Sequence, residues 1–297
     1  MSNQDLETSA PGEAADNYVY ENDDAVDESG EADGDFVLLQ KDLSRKKRAA
    51  KDCTNSRIQK VLPFPFSPNI RPLTISDLES VVALENAAFH NPECRASPEK
   101  LRYRLTTCPE ISLGVFCTVV PDQLKDWDIE TLAAAKPVET DRADKAVSVL
   151  LAHIVSTRCR GDVIADQDMD YPRDWRNLKG RSVDVGHQET GQTVGLHSLA
   201  VSPKLQGCGV GKMIVKAYLQ QMNNSGLASR VSLICQDVGR ARGRRWEYPA
   251  LTTAFKYLVC YYERFGFKHK GESKAQFGGG GWHDMVFELL GPPKTPL

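Results

Sequence analysis

Between Thr193 and Met222 the chain reads TVGLHSLAVSPKLQGCGVGKMIVKAYLQQM, and this stretch constrains the fold more than any other. Its first nine residues are β-branched and apolar in alternation, and its last dozen repeat apolar residues at helical spacing. Between them Gly207, Gly209 and Gly211 alternate with Cys208 and Val210. A strand that feeds a glycine-rich turn into a helix points free backbone N–H groups and the positive end of the helix dipole at one spot, an anion site suited to phosphates. The glycines remove side chains that would block the approach, and Lys212 adds a positive charge at the mouth. A dinucleotide fingerprint would need glycine where Lys212 stands, and a Walker A loop would need Ser or Thr where Met213 stands. Both are excluded, and the pattern left is Q-x-x-G-x-G, with Gln206, Gly209 and Gly211.

The surrounding sequence predicts an α/β domain over residues 69–291. TISDLESVVALENAAF (Thr74–Phe89) carries Ser76 and Glu79 as a capping box and reads as a first helix. Ser97 as N-cap, Pro98 at the first helical position and Pro109 as terminator bracket a second. ISLGVFCTVV (Ile111–Val120) and AVSVLLAHIVST (Ala146–Thr157) read as strands, while Arg158–Gln192 has no period and reads as a long loop. A strand Arg230–Gln236, a short helix Tyr257–Phe265 closed by Gly266, and a strand Asp284–Leu290 complete the domain.

Outside it, residues 1–68 are expected to be a disordered tail and linker. Residues 1–36 hold twelve Asp or Glu and no Lys or Arg, so they lack the apolar surface to offset ordering. SRKKRAAK (Ser44–Lys51) then reads either as a nuclear-import signal or as a solvated basic run. Residues 292–297 form a short C-terminal tail. No membrane span, secretory signal or nucleic-acid motif stands out, so the expectation is a cytoplasmic monomer. Eight scattered cysteines lack metal-ligand spacing, and no metal is expected.

With HSLAVSP before the loop, YYERFGF (Tyr261–Phe267) after it and CPEISLGVF (Cys108–Phe116) upstream, in that order, the chain resembles the arylalkylamine (serotonin) N-acetyltransferase family of the GCN5-related N-acetyltransferase (GNAT) superfamily. The resemblance implies a GNAT fold: a central mixed, splayed sheet flanked by helices, with acetyl-coenzyme A (acetyl-CoA) as cosubstrate in the opening between strands Thr193–Val201 and Arg230–Gln236. It implies a diphosphate held by Gln206, Gly207, Cys208, Gly209, Val210, Gly211 and Lys212, with further cofactor contacts from Leu199, Ala200, Val201 and Arg264. It matches His197 to the family's base and Tyr262 to the tyrosine that protonates the departing thiolate, and it implies Pro109, Leu199 and Ile234 as lining for the amine. Phe116, Trp282 and His283 were further candidate walls. The family's vertebrate members carry a second histidine where Gly195 stands here, so His197 alone or a water chain must serve.

Chemistry agrees with these types. An amine that is mostly protonated at neutral pH must lose a proton before attacking a thioester, and histidine titrates in the right range. The expected partner is a small-molecule amine, an arylalkylamine or a polyamine. Acetylation of a protein or peptide amine, and a non-catalytic CoA-binding regulator, remain as alternatives. The residues Val238–Lys256 interrupt the joined pattern and read as an insertion: either a lid whose arginines meet phosphates or a retained intron.

Overall fold

The computed structural model describes residues 34–124, 127–138, 144–177, 183–236 and 258–291. The expected insertion Val238–Lys256, the acidic segment 1–33 and the tail 292–297 lie outside the described residues. Two compact units divide between Ala49 and Ala50. Helix α1 spans Gly34–Val61, so residues 34–49 are a helical unit whose side chains from Gln40 onward are exposed, including the basic run.

The second unit is built on one sheet. Its strands are β1 Asn69–Pro72, β2 Leu113–Val119, β3 Lys136–Pro137, β4 Val147–Cys159, β5 Thr193–Val201, β6 Arg230–Gln236, β7 Lys268–Glu272 and β8 Trp282–Glu288, in the order β1-β2-β4-β5-β6-β8-β7 with β3 on β4. Every pairing is antiparallel except β5–β6, which is parallel. Helices α2 (Leu78–Ala88) and α3 (Pro98–Thr107) precede β2; α4 (Asp166–Met169), α5 (Val210–Ser225) and α6 (Leu258–Glu263) follow later. Ser97 caps α3 as expected, its Oγ accepting from the Lys100 amide at 3.2 Å. The other capping expectation shifts by two residues: the Asp77 carboxylate accepts from the Thr74 amide at 2.9 Å and pairs with Arg71 at 2.8 Å, leaving Ser76 and Glu79 outside the cap.

One core cluster gathers Val194, Leu196, Val210, Ile214, Tyr218, Leu233 and Met285, and a second gathers Leu73, Val81, Leu84, Leu101, Phe116 and Ala200. The disordered tail expected through residue 68 is corrected here. From Ala50 onward α1 belongs to this unit, with Ile58, Leu62 and Phe64 buried in the first cluster. The Gln59 amide fastens the helix end, donating to the Phe64 carbonyl and accepting from the Phe66 amide, both at 2.9 Å. Ile58 in the last turns of a mostly polar helix, with Leu62 and Phe64 just beyond it, docks the segment, a signal too sparse for periodicity to register.

Candidate active site

The sheet opens at β5. Its pairing with β6 runs only from Thr193 to Gly195, opposite Arg230 to Ser232, and no bridge follows. On the other edge β5 stays paired with β4 up to Val201, but the register slips: Leu196 faces Ser156 and Ser198 faces Val155, leaving His197 as the extra residue of a bulge. A bulge re-aims the side chain it carries and reverses the inside–outside alternation beyond it. Leu196 therefore packs in the first core, Ser198 and Ala200 face the other side, and His197, Leu199 and Val201 are half-buried along the diverging edge.

β5 ends in the glycine loop. Gly209 caps α5 with φ 102°, a backbone conformation that L side chains rarely adopt. A Cβ at Gly207 would meet nothing within 4 Å, so that part of the loop is open. At Gly209 it would come within 2.8 Å of the Thr54 methyl on α1, and at Gly211 within 3.1 Å of the Tyr261 hydroxyl. These two side chains now fill part of the space the glycines leave. Both are ends of small or rotatable groups beside the loop that leads into the amino end of α5. The Gln206 amide donates to the Val201 carbonyl at 3.2 Å, tying loop to strand. Lys212 and Arg264 are exposed.

His197 sits in a closed frame. Its Nε2 is 2.6 Å from Thr157 Oγ1 on β4, and its Nδ1 is 3.1 Å from the Met169 thioether at the end of α4. Burial, then the positive charges of Arg104 and Lys100 on α3, then His187, hold its pKa well below the ordinary histidine value, so the ring is neutral at neutral pH. Arg104 is fully buried and donates to the Met169 carbonyl at 3.0 Å; burial brings its pKa down to about 10. Lys100, depressed to about 8 chiefly by burial, lines a cavity of about 410 Å³ with Asp166, Met169, Asp170, Gln276 and Phe277. Met169 thus stands between this cavity and the imidazole. A Cβ at position 195, opposite Thr157, would lie 2.7 Å from Cys159 Sγ and 3.1 Å from His197 Cε1, so a side chain there would crowd the thiol and the imidazole.

Tyr262 is buried on α6 among Tyr261 and Phe267, with ring centroids 5.2 and 5.6 Å away. Burial, with Tyr261 and Cys235 nearby, pushes its pKa far up, which keeps the phenol protonated. Its hydroxyl has no hydrogen-bond partner among the described residues. Ile234 is half-buried on β6 and Pro109 half-buried at the turn before β2. Phe116 departs from its expected place: it is buried in the second core under the Arg71 guanidinium, 3.8 Å from its ring centroid. Trp282 leans on Phe277, which lines the cavity in its place.

Sequence reasoning missed Thr157, Met169, Lys100 and Arg104. For the two basic residues a signal existed, since positions 100 and 104 share a helix face; Met169 lay in a segment read as structureless. No disulfide joins the cysteines, and no group of three metal-ligating side chains occurs, among the described residues. Nor is any described helix long and apolar enough to cross a membrane.

The model for the Acetyltransferase (GNAT) family matches residues 174–245. The chain is similar to the serotonin N-acetyltransferase of Mesocricetus auratus, 24% identical over 210 residues that cover 70% of this chain and 71% of that protein. It is also similar to that of Macaca mulatta, 23% identical over 225 residues covering 75% and 79%. Among solved structures, the loading GNATL domain of CurA from Lyngbya majuscula is 15% identical, spans 75% of this chain and 98% of that one, and superposes with a TM-score of 0.48. The GphF GNAT-like decarboxylase in complex with isobutyryl-CoA is 16% identical, with 74% and 99% covered and a TM-score of 0.46. The mixed sheet that opens beside a glycine loop is a GNAT fold, and the segment matched by the Acetyltransferase (GNAT) family model contains that loop.

Proposed function

We propose that the protein is an acetyl-CoA-dependent N-acetyltransferase that moves acetyl to the primary amine of a small molecule, an arylalkylamine such as serotonin or tryptamine, or a polyamine. The observation that carries this reading is the position of His197: it is the bulged residue just beyond the last β5–β6 bridge, on the strand that leads into the glycine cradle. Acetyl-CoA, when bound, supplies the thioester. The amides of Gln206 to Lys212 would hold its diphosphate, with Arg264 near the phosphates, while the diverging edge of β5 at Leu199, Ala200 and Val201 offers backbone donors to the thioester oxygen. Pro109, Leu199 and Ile234 contribute apolar lining for the amine.

His197 would take the proton that the attacking amine loses. Tyr262, which burial keeps protonated, would give one to the departing thiolate. An ammonium acceptor loses two protons in becoming the amide: the one His197 takes before attack would pass on to solvent, and the one shed after attack would restore Tyr262. The similarity to serotonin N-acetyltransferases supports the arylalkylamine class, and Asp166 and Asp170 at the cavity support a cationic acceptor.

The test is CoA release from acetyl-CoA in the presence of tryptamine, spermidine or a histone peptide. The expected result is release that depends on one of the two small amines. Release only with the peptide would replace the substrate class, and binding of CoA without release in any arm would leave a non-catalytic binder.

A further inference from the structure

The cavity of about 410 Å³ that Met169 separates from His197 has one wall made by a loop. Gln276 and Phe277, which line it with Lys100, Asp166, Met169 and Asp170, belong to the connection between β7 and β8, residues 273–281. Gly278, Gly279, Gly280 and Gly281 follow Phe277 without a break, at φ 57°, 96°, 75° and 75°. Four successive glycines give this segment little stiffness of its own. The position of Phe277 is therefore set by what holds the loop from outside.

The holder is Asp166, the first residue of α4. Its Oδ1 accepts from the Gln276 amide at 2.8 Å and from the Phe277 amide at 2.9 Å, and its Oδ2 accepts from the Gln276 amide at 3.0 Å. α4 does not need this carboxylate for its own start, because Asp168 Oδ2 accepts from the Ala165 amide at 2.9 Å. Asp166 thus spends both oxygens on two adjacent amides of a loop about 110 residues away in sequence. Two weaker ties steady the same loop: the Trp282 indole donates to the Phe277 carbonyl, and the Gln236 amide donates to the Gly280 carbonyl at 3.4 Å. The other carboxylate at the cavity, Asp170, is taken up by Arg173 at 3.0 Å and lies 3.9 Å from Lys100. Three residues on from Asp166, the Met169 thioether lies 3.1 Å from His197 Nδ1. One four-residue helix therefore carries the loop contact at one end and the imidazole contact at the other.

We propose that Asp166 is a positioning residue of the amine site: its carboxylate latches the 273–281 loop so that Phe277 closes one side of the cavity, and without it that side opens to solvent. The Phe277 ring already receives a cation, since Lys100 Nζ lies 5.2 Å from its centroid, so its face suits the ammonium or the aromatic ring of an incoming amine. Binding of the amine depends on the latch. Binding of acetyl-CoA does not, because the glycine loop before α5 shares no residue with this cavity. Asp166 is itself exposed, so its charge-assisted bonds hold a loop and not the fold.

This inference rests on the proposed transfer to an amine, but its first test, amide hydrogen exchange in the full-length protein, needs no turnover. The Gln276 and Phe277 amides are expected to exchange slowly in wild type and fast in Asp166→Ala. They should be slow again in Asp166→Asn, whose carbonyl oxygen can accept both bonds as Oδ1 does. In turnover, Asp166→Ala should raise KM for the amine about 3- to 10-fold, with kcat and KM for acetyl-CoA near wild type, and Asp166→Asn should restore it. Wild-type amides that exchange as fast as those of Asp166→Ala, or an Asp166→Ala protein with the wild-type KM for the amine, would overturn the latch. So would an Asp166→Asn protein as impaired as Asp166→Ala, which would assign the effect to charge at the cavity. If no variant releases CoA with any amine, the proposed function fails, and exchange at Gln276 and Phe277 still decides the latch.

Discussion

His197 on β5 and His153 on β4, which contacts the neighbouring Ser198, have surroundings that differ in kind. On one side Ser198 meets His153 and Glu85: Ser198 Oγ donates to Glu85 Oε2 at 2.6 Å, His153 Nε2 lies 3.1 Å from the same oxygen, and the Ala96 amide donates to Oε1 at 3.0 Å. His153 and Glu85 are 0% and 1% exposed. On the other side His197 has, among the described residues, no carboxylate in contact, two basic residues nearby, and a cavity beyond a single thioether. The first arrangement is sealed in the core, with His153 Nδ1 left without a partner among the described residues, and it holds α2 to the sheet. The second has a neutral, half-buried imidazole next to a cavity, as the proposed chemistry requires. A Ser-His-Glu trio in contact is therefore no evidence of nucleophilic catalysis when nothing can reach it.

The comparison breaks most readily at Glu85. Removing one partner of a buried pair strands the other, so Glu85→Ala is expected to cost about 3–5 kcal/mol of stability in denaturant unfolding. Acid should erode the same contact. Burial alone would raise the Glu85 pKa, but the bonds from His153, Ser198 and Ala96 outweigh it and leave it below the ordinary carboxylate value. The stabilisation is thus complete above that ordinary value and is lost as pH falls through the lowered one. A Glu85→Ala protein that unfolds at the wild-type denaturant concentration would show the sealed side to be decorative.

Tyr262→Phe should act on the other side alone. Turnover is expected to fall about 10- to 10³-fold, with stability and acetyl-CoA affinity close to wild type, since the hydroxyl has no hydrogen-bond partner among the described residues to lose. Unchanged turnover would remove Tyr262 from the mechanism. His197→Ala is expected to shift unfolding by about 1 kcal/mol or less, well short of Glu85→Ala, while lowering turnover, most at acid pH where free amine is scarcest. Because the ring's pKa is depressed, the wild-type acidic limb due to His197 should lie below the ordinary histidine range. A loss of stability as large as that of Glu85→Ala would make His197 a second structural histidine.

The sequence carried the parts of this picture that depend on local pattern. The strand, glycine loop and helix from Thr193 onward, the Ser97–Pro98 start of α3 and the helix of Tyr262 all stand where periodicity and capping put them. It did not carry what depends on tertiary register. The alternation in VGLHSLAV reads as an unbroken strand, yet the bulge at His197 exists only because β4 slips by one residue opposite it. β1 hides in a proline-rich stretch, as an edge strand can. α4 is four residues long within a segment rich in Asp, Arg and Gly, and its Met169 becomes informative only when the fold brings it against His197.

The central claim is that the loop from Gln206 to Lys212 is a diphosphate cradle serving the opening beside His197, and calorimetric titration of acetyl-CoA into wild type and Gly209→Val tests it most directly. The account predicts saturable binding to the wild type and none measurable to a Gly209→Val protein whose far-UV spectrum and cooperative unfolding show it folded, because the branched side chain fills the space the anion needs. Native affinity in Gly209→Val would mean that the glycines serve only the turn, and would contradict the account.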